Sequence, residues 1–359
     1  MSDIESRIPA DRLRRIIAAI CAAAGCDSEE ATAIADHLVE ANLTGHDSHG
    51  LRMLPEYVAA MRESRLRLGA RARVVSDCGA VVVIDGGFGV GQIVCREAMV
   101  IGIDRARIHG IALVALRHAH HIGRVGAWAE KCAAAGCASV HLVNVIGHRP
   151  YMAPFGGREG RLATNPFCAG LPATDRPPVI LDMATSKVAW GKLMLARSRN
   201  EPAPEGAVID ALGRPSADPG IVLADPPGSL LPFGEHKGYG LAVICELFAG
   251  VLSGGGTNQP ATPLTDTITN NMLSFIIEPG RLVPASVLSR EIDALVDWVK
   301  TATPCENGGE VLIPGEPERR LRAKREAEGI PIDRIIWKEV LAAADSVGCT
   351  LGELGPPPI

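Results

Sequence analysis

Apolar side chains recur at helical spacing through the first seventy residues. In ADRLRRIIAAICAAAG, the positions Leu13, Ile16, Ile17, Ile20 and Cys21 share one face, and Gly25 stands where a left-handed residue closes a helix. Ser28 is placed to cap the next run, SEEATAIADHLVEANLTG, with Glu29 and Glu30 in its first turn facing the helix dipole. LRMLPEYVAAMRESRL repeats the helical period. From Arg71 the pattern changes. ARVVSD and AVVVIDG are β-branched runs and read as strands. The helix VCREAMVIGIDRARIHG, the strand IALVALRH, the helix VGAWAEKCAAAG and the strand CASVHLVNV follow, an alternation that predicts an α/β body. PVILDMAT, EVLIP and NMLSFIIEP are further strands; GLAVICELFAGVLSG and ASVLSREIDALVDWVKTA are further helices. Residues 198–234, rich in glycine and proline, are expected to be loop over the surface. The C-terminal PERRLRAKREAEG and DRIIWKEVLAAADSVG return to helix, so the two helical ends are expected to fold together beside the α/β body. The basic run Arg319, Arg320, Arg322, Lys324 and Arg325 is interleaved with glutamates and reads as a solvated face.

With 359 residues, 47% hydrophobic and 21% charged, the chain has the balance of a globular protein and not of a disordered one. A net charge of -5 removes the electrostatic case for nucleic acid or a membrane surface as partner. No apolar stretch reaches the ~20 residues of a spanning helix. MSDIESRIPADRLRR lacks the apolar core of a signal peptide, so a cytoplasmic address is expected. The cysteines, at 21, 26, 78, 95, 132, 137, 168, 245, 305 and 349, show no C-x-x-C spacing. Most sit in apolar company and read as free buried thiols, not as a disulfide framework or a structural zinc site.

Aldolase, hydrolase, dehydrogenase and binding protein all remain open on this pattern. There is no G-x-S-x-G elbow, no phosphate-binding P-loop and no H-E-x-x-H. Gly87, Gly89 and Gly91 approach a dinucleotide fingerprint after the strand AVVVID, but Gln92 stands where its last glycine belongs. Three polar clusters remain. Gly45-His-Asp-Ser-His-Gly50 with Arg52, and Tyr57 beyond, brings together a guanidinium that can fork a carboxylate and imidazoles that can move a proton. Arg117-His-Ala-His-His-Ile-Gly-Arg124 follows a strand. Its histidines at 118, 120 and 121 cannot all point one way and have no carboxylate neighbour, so a single acid/base histidine is expected and no metal. The third set is Pro154–Gly157, Thr164-Asn165-Pro166, Asp182–Ser186 and Gly234–Gly240. In it Asp182 ends an apolar strand where a carboxylate can orient a histidine, and Lys237 opens a helix suited to phosphate.

These stretches, taken in order with W-G-K (190–192) and I-P-G-E (313–316), resemble the type-2 malate/L-lactate dehydrogenase family over essentially the whole chain. ADHLVEANLTGHDSHG, EHKGYGLAVICELFAG and EGIPID resemble its hydroxycarboxylate dehydrogenase branch most. The resemblance implies an α/β fold with a non-Rossmann, mixed-sheet cofactor domain (73–314) and a helical domain built from both chain ends (1–72 and 315–359). It implies NAD or NADP as cofactor, a homodimer with its site between subunits, and NAD(P)H-dependent, reversible reduction of a 2-oxo acid to a 2-hydroxy acid. Reduction of a cyclic imino acid is the alternative, and a non-catalytic ligand-binding relative the second. Carried residue by residue, His121, His49 and Asp182 are catalytic. Ser48, Arg52 and Tyr57 lie on the substrate side. His148 and Arg149 join them because Asn144–Tyr151 is longer and more polar than the family's usual segment. His120, Asn165, Asp182, Met183, Ala184, His236, Lys237, Gly238, Gly315 and Glu316 are expected on the cofactor.

Overall fold

The computed structural model describes residues 6–306, 308–350 and 352. The first five residues of the leader reading, and the outer ends of the segments 1–72 and 315–359, lie outside the described residues. The chain opens with β1 (Ser6–Ile8), α1 (Ala10–Ala23), α2 (Ser28–Leu43) and α3 (Leu54–Arg62). Leu13, Ile16, Ile17 and Ile20 of α1 are fully buried, each contributing about 1.5–3 kcal/mol of transfer free energy. Gly25 turns with φ 103° after α1, as its spacing suggests. The cap of α2 is not Ser28 but Asp27, whose carboxylate accepts from Glu30 N while the Glu30 side chain accepts from Asp27 N.

The body follows as β2 (Arg73–Cys78), β3 (Val81–Asp85), α4 (Gly91–His109), β4 (Ile111–His120), α5 (Gly126–Ala134), β5 (Ala138–Ile146), β6 (Phe167–Leu171) and β7 (Val179–Met183). After α6 (Trp190–Ser198) come the short strands β8 (Val208–Ile209), β9 (Pro215–Ser216) and β10 (Ser229–Leu230). The chain ends with α7 (His236–Glu246), β11 (Thr269–Ile277), α8 (Ala285–Lys300), α9 (Glu316–Glu328), β12 (Ile330–Ile332) and α10 (Arg334–Ser346). Seven strands form one mixed sheet in the order β2-β3-β4-β11-β5-β6-β7, in which only the β3–β4 pairing is parallel. α4 and α5 bury Val94, Ala98, Met99, Trp128 and Cys132 against β-branched and aliphatic positions of the sheet.

Both chain ends share one core. Ile8 and the buried faces of α1–α3 pack with Ile330, Ile332, Trp337 and Val340, and β1 pairs with β12. Two expectations are corrected. Residues 198–234 are not plain surface loop: β8, β9 and β10 form a small sheet whose Val208 and Leu230 enter a third core with Met152, Leu162 and Leu193. EVLIP is not a strand; Ile313 makes its turn onto α9, donating its N–H to Glu316. Cys21, Cys26, Cys95, Cys132, Cys137, Cys168 and Cys245 are buried free thiols.

Candidate active site

The Gly45–Gly50 loop is held from below so that its polar tip faces inward. Asp47 accepts a two-pronged ion pair from Arg325 of α9, at 2.7 and 3.0 Å, and a hydrogen bond from Asn42. Asn42 Oδ1 also accepts from Leu51 N, and a side chain at Gly50 would collide with it at 2.3 Å. With Asp47 spent on this staple, Ser48 and His49 are left to face the cavity. Gly191 at the start of α6 lets Ser48 approach, since a Cβ there would lie 2.3 Å from that of Ser48.

The second loop grows from an irregularity in β4. The β4–β11 register shifts between Asn270 and Met272, and His118 takes a positive φ of 53°. The freed asparagines brace the loop: Asn271 accepts from His118 N at 3.0 Å and Asn270 from Ile122 N at 2.9 Å. Arg124 N donates to His37, whose ring stacks on Trp128, and Trp128 donates to Ile122 O. Gly123, at φ 75°, is required here because a Cβ would lie 2.1 Å from His37 Nε2. The three histidines then separate, as the spacing argument predicts. His118 turns to Asp85 at 3.2 Å, His120 is buried in the wall, and His121 reaches the cavity.

His121 and His49 meet there. His49 Nδ1 lies 3.2 Å from His121 Nε2 with the rings nearly parallel, and the Tyr57 hydroxyl lies 2.6 Å from His121 Nδ1. They line a cavity of about 370 Å³ together with Ser48, Arg52, His148, Tyr151, Asp182, Met183 and Ala184. A larger cleft of about 860 Å³ opens beyond Arg52 toward Arg197 and Glu339. It contains no histidine, so the chemistry is assigned to the smaller cavity.

Several expected residues stand elsewhere. Tyr57 is fully buried behind His121 and does not line the cavity. Asp182 does not touch a histidine; its carboxylate accepts from Gly126 N at 2.8 Å and lies 4.0 Å from Arg124. Arg149 edges the neighbouring cavity instead. His120 and Asn165 are buried outside it, Asn165 donating to Glu246. His236 and Lys237 are exposed at the start of α7, where Gly238 is packed against Phe233 O. Gly315 borders a second cavity of about 290 Å³ with Arg124, Asp182 and Arg319, while Glu316 is taken by Lys300 at 2.8 Å. Sequence reading overlooked Lys192, Trp190, Thr164 and Asn270 as lining residues. Three of these stand in the W-G-K and T-N-P stretches, which were the available signal.

Burial dominates the electrostatics. It pushes His49 down to about 4 against the pull of Asp182, and His37, His120 and His141 each down to about 3. His121 falls well below its ordinary 6.5, first through burial and then through His49. The unfolded chain protonates His37, His49, His120 and His141 near 6.5, the native chain only near 3–4, so stability is full above 6.5 and is lost as pH falls through that window. Each ring withdraws about 1.4 kcal/mol per pH unit. Thermal scans are expected to show a Tm that is flat above pH ~7 and falls steeply toward pH ~5; an unchanged Tm would contradict this burial.

The malate/L-lactate dehydrogenase family model matches residues 8–341. The chain is 44% identical over 344 residues to hydroxycarboxylate dehydrogenase B of Escherichia coli O157:H7, covering 95% of this chain and 94% of that protein. It is 41% identical to an L-lactate dehydrogenase of Cupriavidus necator, covering 93% and 96%. A solved E. coli structure described as of malate/lactate dehydrogenase type superposes with a TM-score of 0.93 at 43% identity, covering 97% of each chain.

Proposed function

The chain belongs to the malate/L-lactate dehydrogenase family, and on that premise we propose how its residues carry out the reversible reduction of a 2-oxo acid to a 2-hydroxy acid. The observation that carries the reading is the His49–His121 contact facing a cavity that also holds the Arg52 guanidinium. Arg52 pairs with the substrate carboxylate, Ser48 positions the substrate, and the two imidazoles supply the proton for the oxygen of the reduced carbonyl. Asp182 organises the start of α5 beside the cofactor site and is not the orienting partner of a histidine.

The residues present fit a nicotinamide dinucleotide. Arg124 is 1% exposed and pairs through Nη2 with Glu130, but its Nε and Nη1 have no hydrogen-bond partner among the described residues, and it edges the second cavity. A buried guanidinium with two such nitrogens at a cavity suits an anion, and the dinucleotide has a pyrophosphate. Asp182 lines both cavities, so Met183 and Ala184 on one side and Gly315 on the other are the residues that would hold the group. Its chemistry is the hydride; NAD and NADP both suit this reading. We read the 73–314 segment as a non-Rossmann cofactor domain and 1–72 with 315–359 as one helical unit.

Ile244, Leu247 and Val251 expose 42–57% of their surface along α7 and the π-turn after it, which supports a homodimer. No described helix is long and apolar enough to cross a membrane. A cytoplasmic, homodimeric enzyme is the working picture. It is tested by following reduced-cofactor absorbance with NADH and NADPH against 2-oxo acids and cyclic imines, with size-exclusion on the same preparation. Oxidation with 2-oxo acids by a dimer is expected. Turnover of imines alone would move the substrate class, and cofactor binding without any turnover would leave a binding protein.

A further inference from the structure

Neither ring nitrogen of His121 is free. Nδ1 is 2.6 Å from the Tyr57 hydroxyl and Nε2 is 3.2 Å from His49 Nδ1. His49 Nε2 has no hydrogen-bond partner among the described residues, and His49 lines the cavity. Behind the pair, Tyr57 is 0% exposed, and its oxygen accepts from Nε2 of buried Gln92 at 2.8 Å. That leaves the hydroxyl one proton and a second acceptor within reach, the carbonyl oxygen of His121 at 3.4 Å. A phenol pinned in this way can accept from His121 Nδ1–H while donating to the carbonyl, or turn and donate to a bare Nδ1.

We infer that Tyr57, anchored by Gln92, is a positioning residue that keeps the mobile proton of His121 on Nε2, so that His49 Nε2, fed by His121, is the atom exchanging a proton with the substrate. The inference rests on the 2-oxo acid reading of the cavity. The proton count closes. Burial keeps both rings neutral in the resting protein. On binding the anionic substrate the pair takes up one proton from water at His49 Nε2, after which His121 carries Nδ1–H to Tyr57 and Nε2–H to His49, and His49 carries one on Nε2. A bound reduced nicotinamide would supply the hydride pair to the carbonyl carbon; the C=O π pair would then move onto oxygen, which takes the proton from His49 Nε2. His49 Nδ1 takes the proton from His121 Nε2. His121 is left neutral, protonated on Nδ1 and still held by Tyr57. After release both rings are neutral, and the next substrate draws in the next proton at His49 Nε2, which refills the chain inward; oxidation runs the same steps backward.

Two protons therefore move in one step, and a proton inventory of kcat/KM in mixed H₂O and D₂O reads that number. The wild type is expected to give a bowed inventory. Tyr57→Phe, checked for folding by circular dichroism, is expected to lose about 10²-fold in kcat, as a misplacement of about 1 Å can. Its KM and cofactor affinity are expected within twofold of wild type (roughly, for interactions not made in the transition state), and its inventory should become linear because His49 then delivers its proton alone. A wild type that turns over with a linear inventory, or a folded Tyr57→Phe with wild-type kcat, would overturn the relay. If Tyr57→Phe does not fold, Gln92→Leu, which unpins the hydroxyl, should lower kcat by about tenfold or more on the same ground, and full activity would be equally contrary. A wild type with no turnover on any 2-oxo acid would instead strike at the substrate reading.

Discussion

Replacing His121 by asparagine is expected to lower kcat and kcat/KM together by about 10²–10⁴-fold, the range of a lost general acid. The ring stands between Tyr57 at 2.6 Å and His49 at 3.2 Å, buried and 6% exposed, so no water can take its place in the chain without rebuilding the wall. Asparagine can bond to both neighbours but cannot take up and release a proton. The interaction is made in the transition state, so both constants fall by the same factor while fluorescence titration should find cofactor affinity nearly unchanged. His49→Asn is expected to do as much, because it removes the outer member of the same pair. A His121→Asn enzyme within a few-fold of wild type, beside an inactive His49→Asn, would leave His49 acting alone.

Arg52→Ala is expected to act on the other constant. The guanidinium lines the cavity, burial pulls it below its ordinary value while Glu339 pulls it back, and a carboxylate is the anion that its fork matches. Losing a charged hydrogen bond costs roughly 1.5–3 kcal/mol, which at about 1.4 kcal/mol per decade is an increase of about 10–150-fold in KM for the 2-oxo acid. Arg52→Lys should recover little of it, since an ammonium cannot bind both oxygens in the plane. Steady-state kinetics separate the two effects. A fall in kcat with KM unchanged would mean that Arg52 does not hold the carboxylate.

How legible all this was depended on whether a signal lay within one element. The period of Leu13, Ile16, Ile17 and Ile20 identifies α1, and β-branched runs identify β3, β4 and β11, because burial on one face or both leaves a local record. Phe167–Leu171 carries little of it: Cys168, Ala169 and Gly170 are too small to announce a strand, and only pairing with β5 and β7 makes them one. The small sheet around β8 is two-residue strands among prolines and glycines, stabilised by the core they share with Met152 and Leu193. In the site, G-H-D-S-H-G with Arg52 two residues beyond it, and H-H-I-G-R, marked His49, Arg52 and His121 because polar clusters next to glycines are conspicuous. The partnership of Tyr57 with His121 spans 64 positions, and that of Gln92 with Tyr57 spans 35, so neither could be read along the chain. For the same reason Asp182 looked like an orienting carboxylate until its partner proved to be Gly126 N.

The central claim is hydride delivery to the 2-carbon of an oxo acid held between Arg52 and the histidine pair. Single-turnover reaction of the protein with a 2-oxo acid and reduced nicotinamide cofactor deuterated on the transferring face, followed by mass spectrometry of the product, tests it directly. The predicted result is a 2-hydroxy acid carrying deuterium at C2, formed in proportion to cofactor oxidised and lost in His121→Asn. Cofactor oxidised without deuterium in a 2-hydroxy acid, or deuterium transferred equally well by His121→Asn, would contradict it.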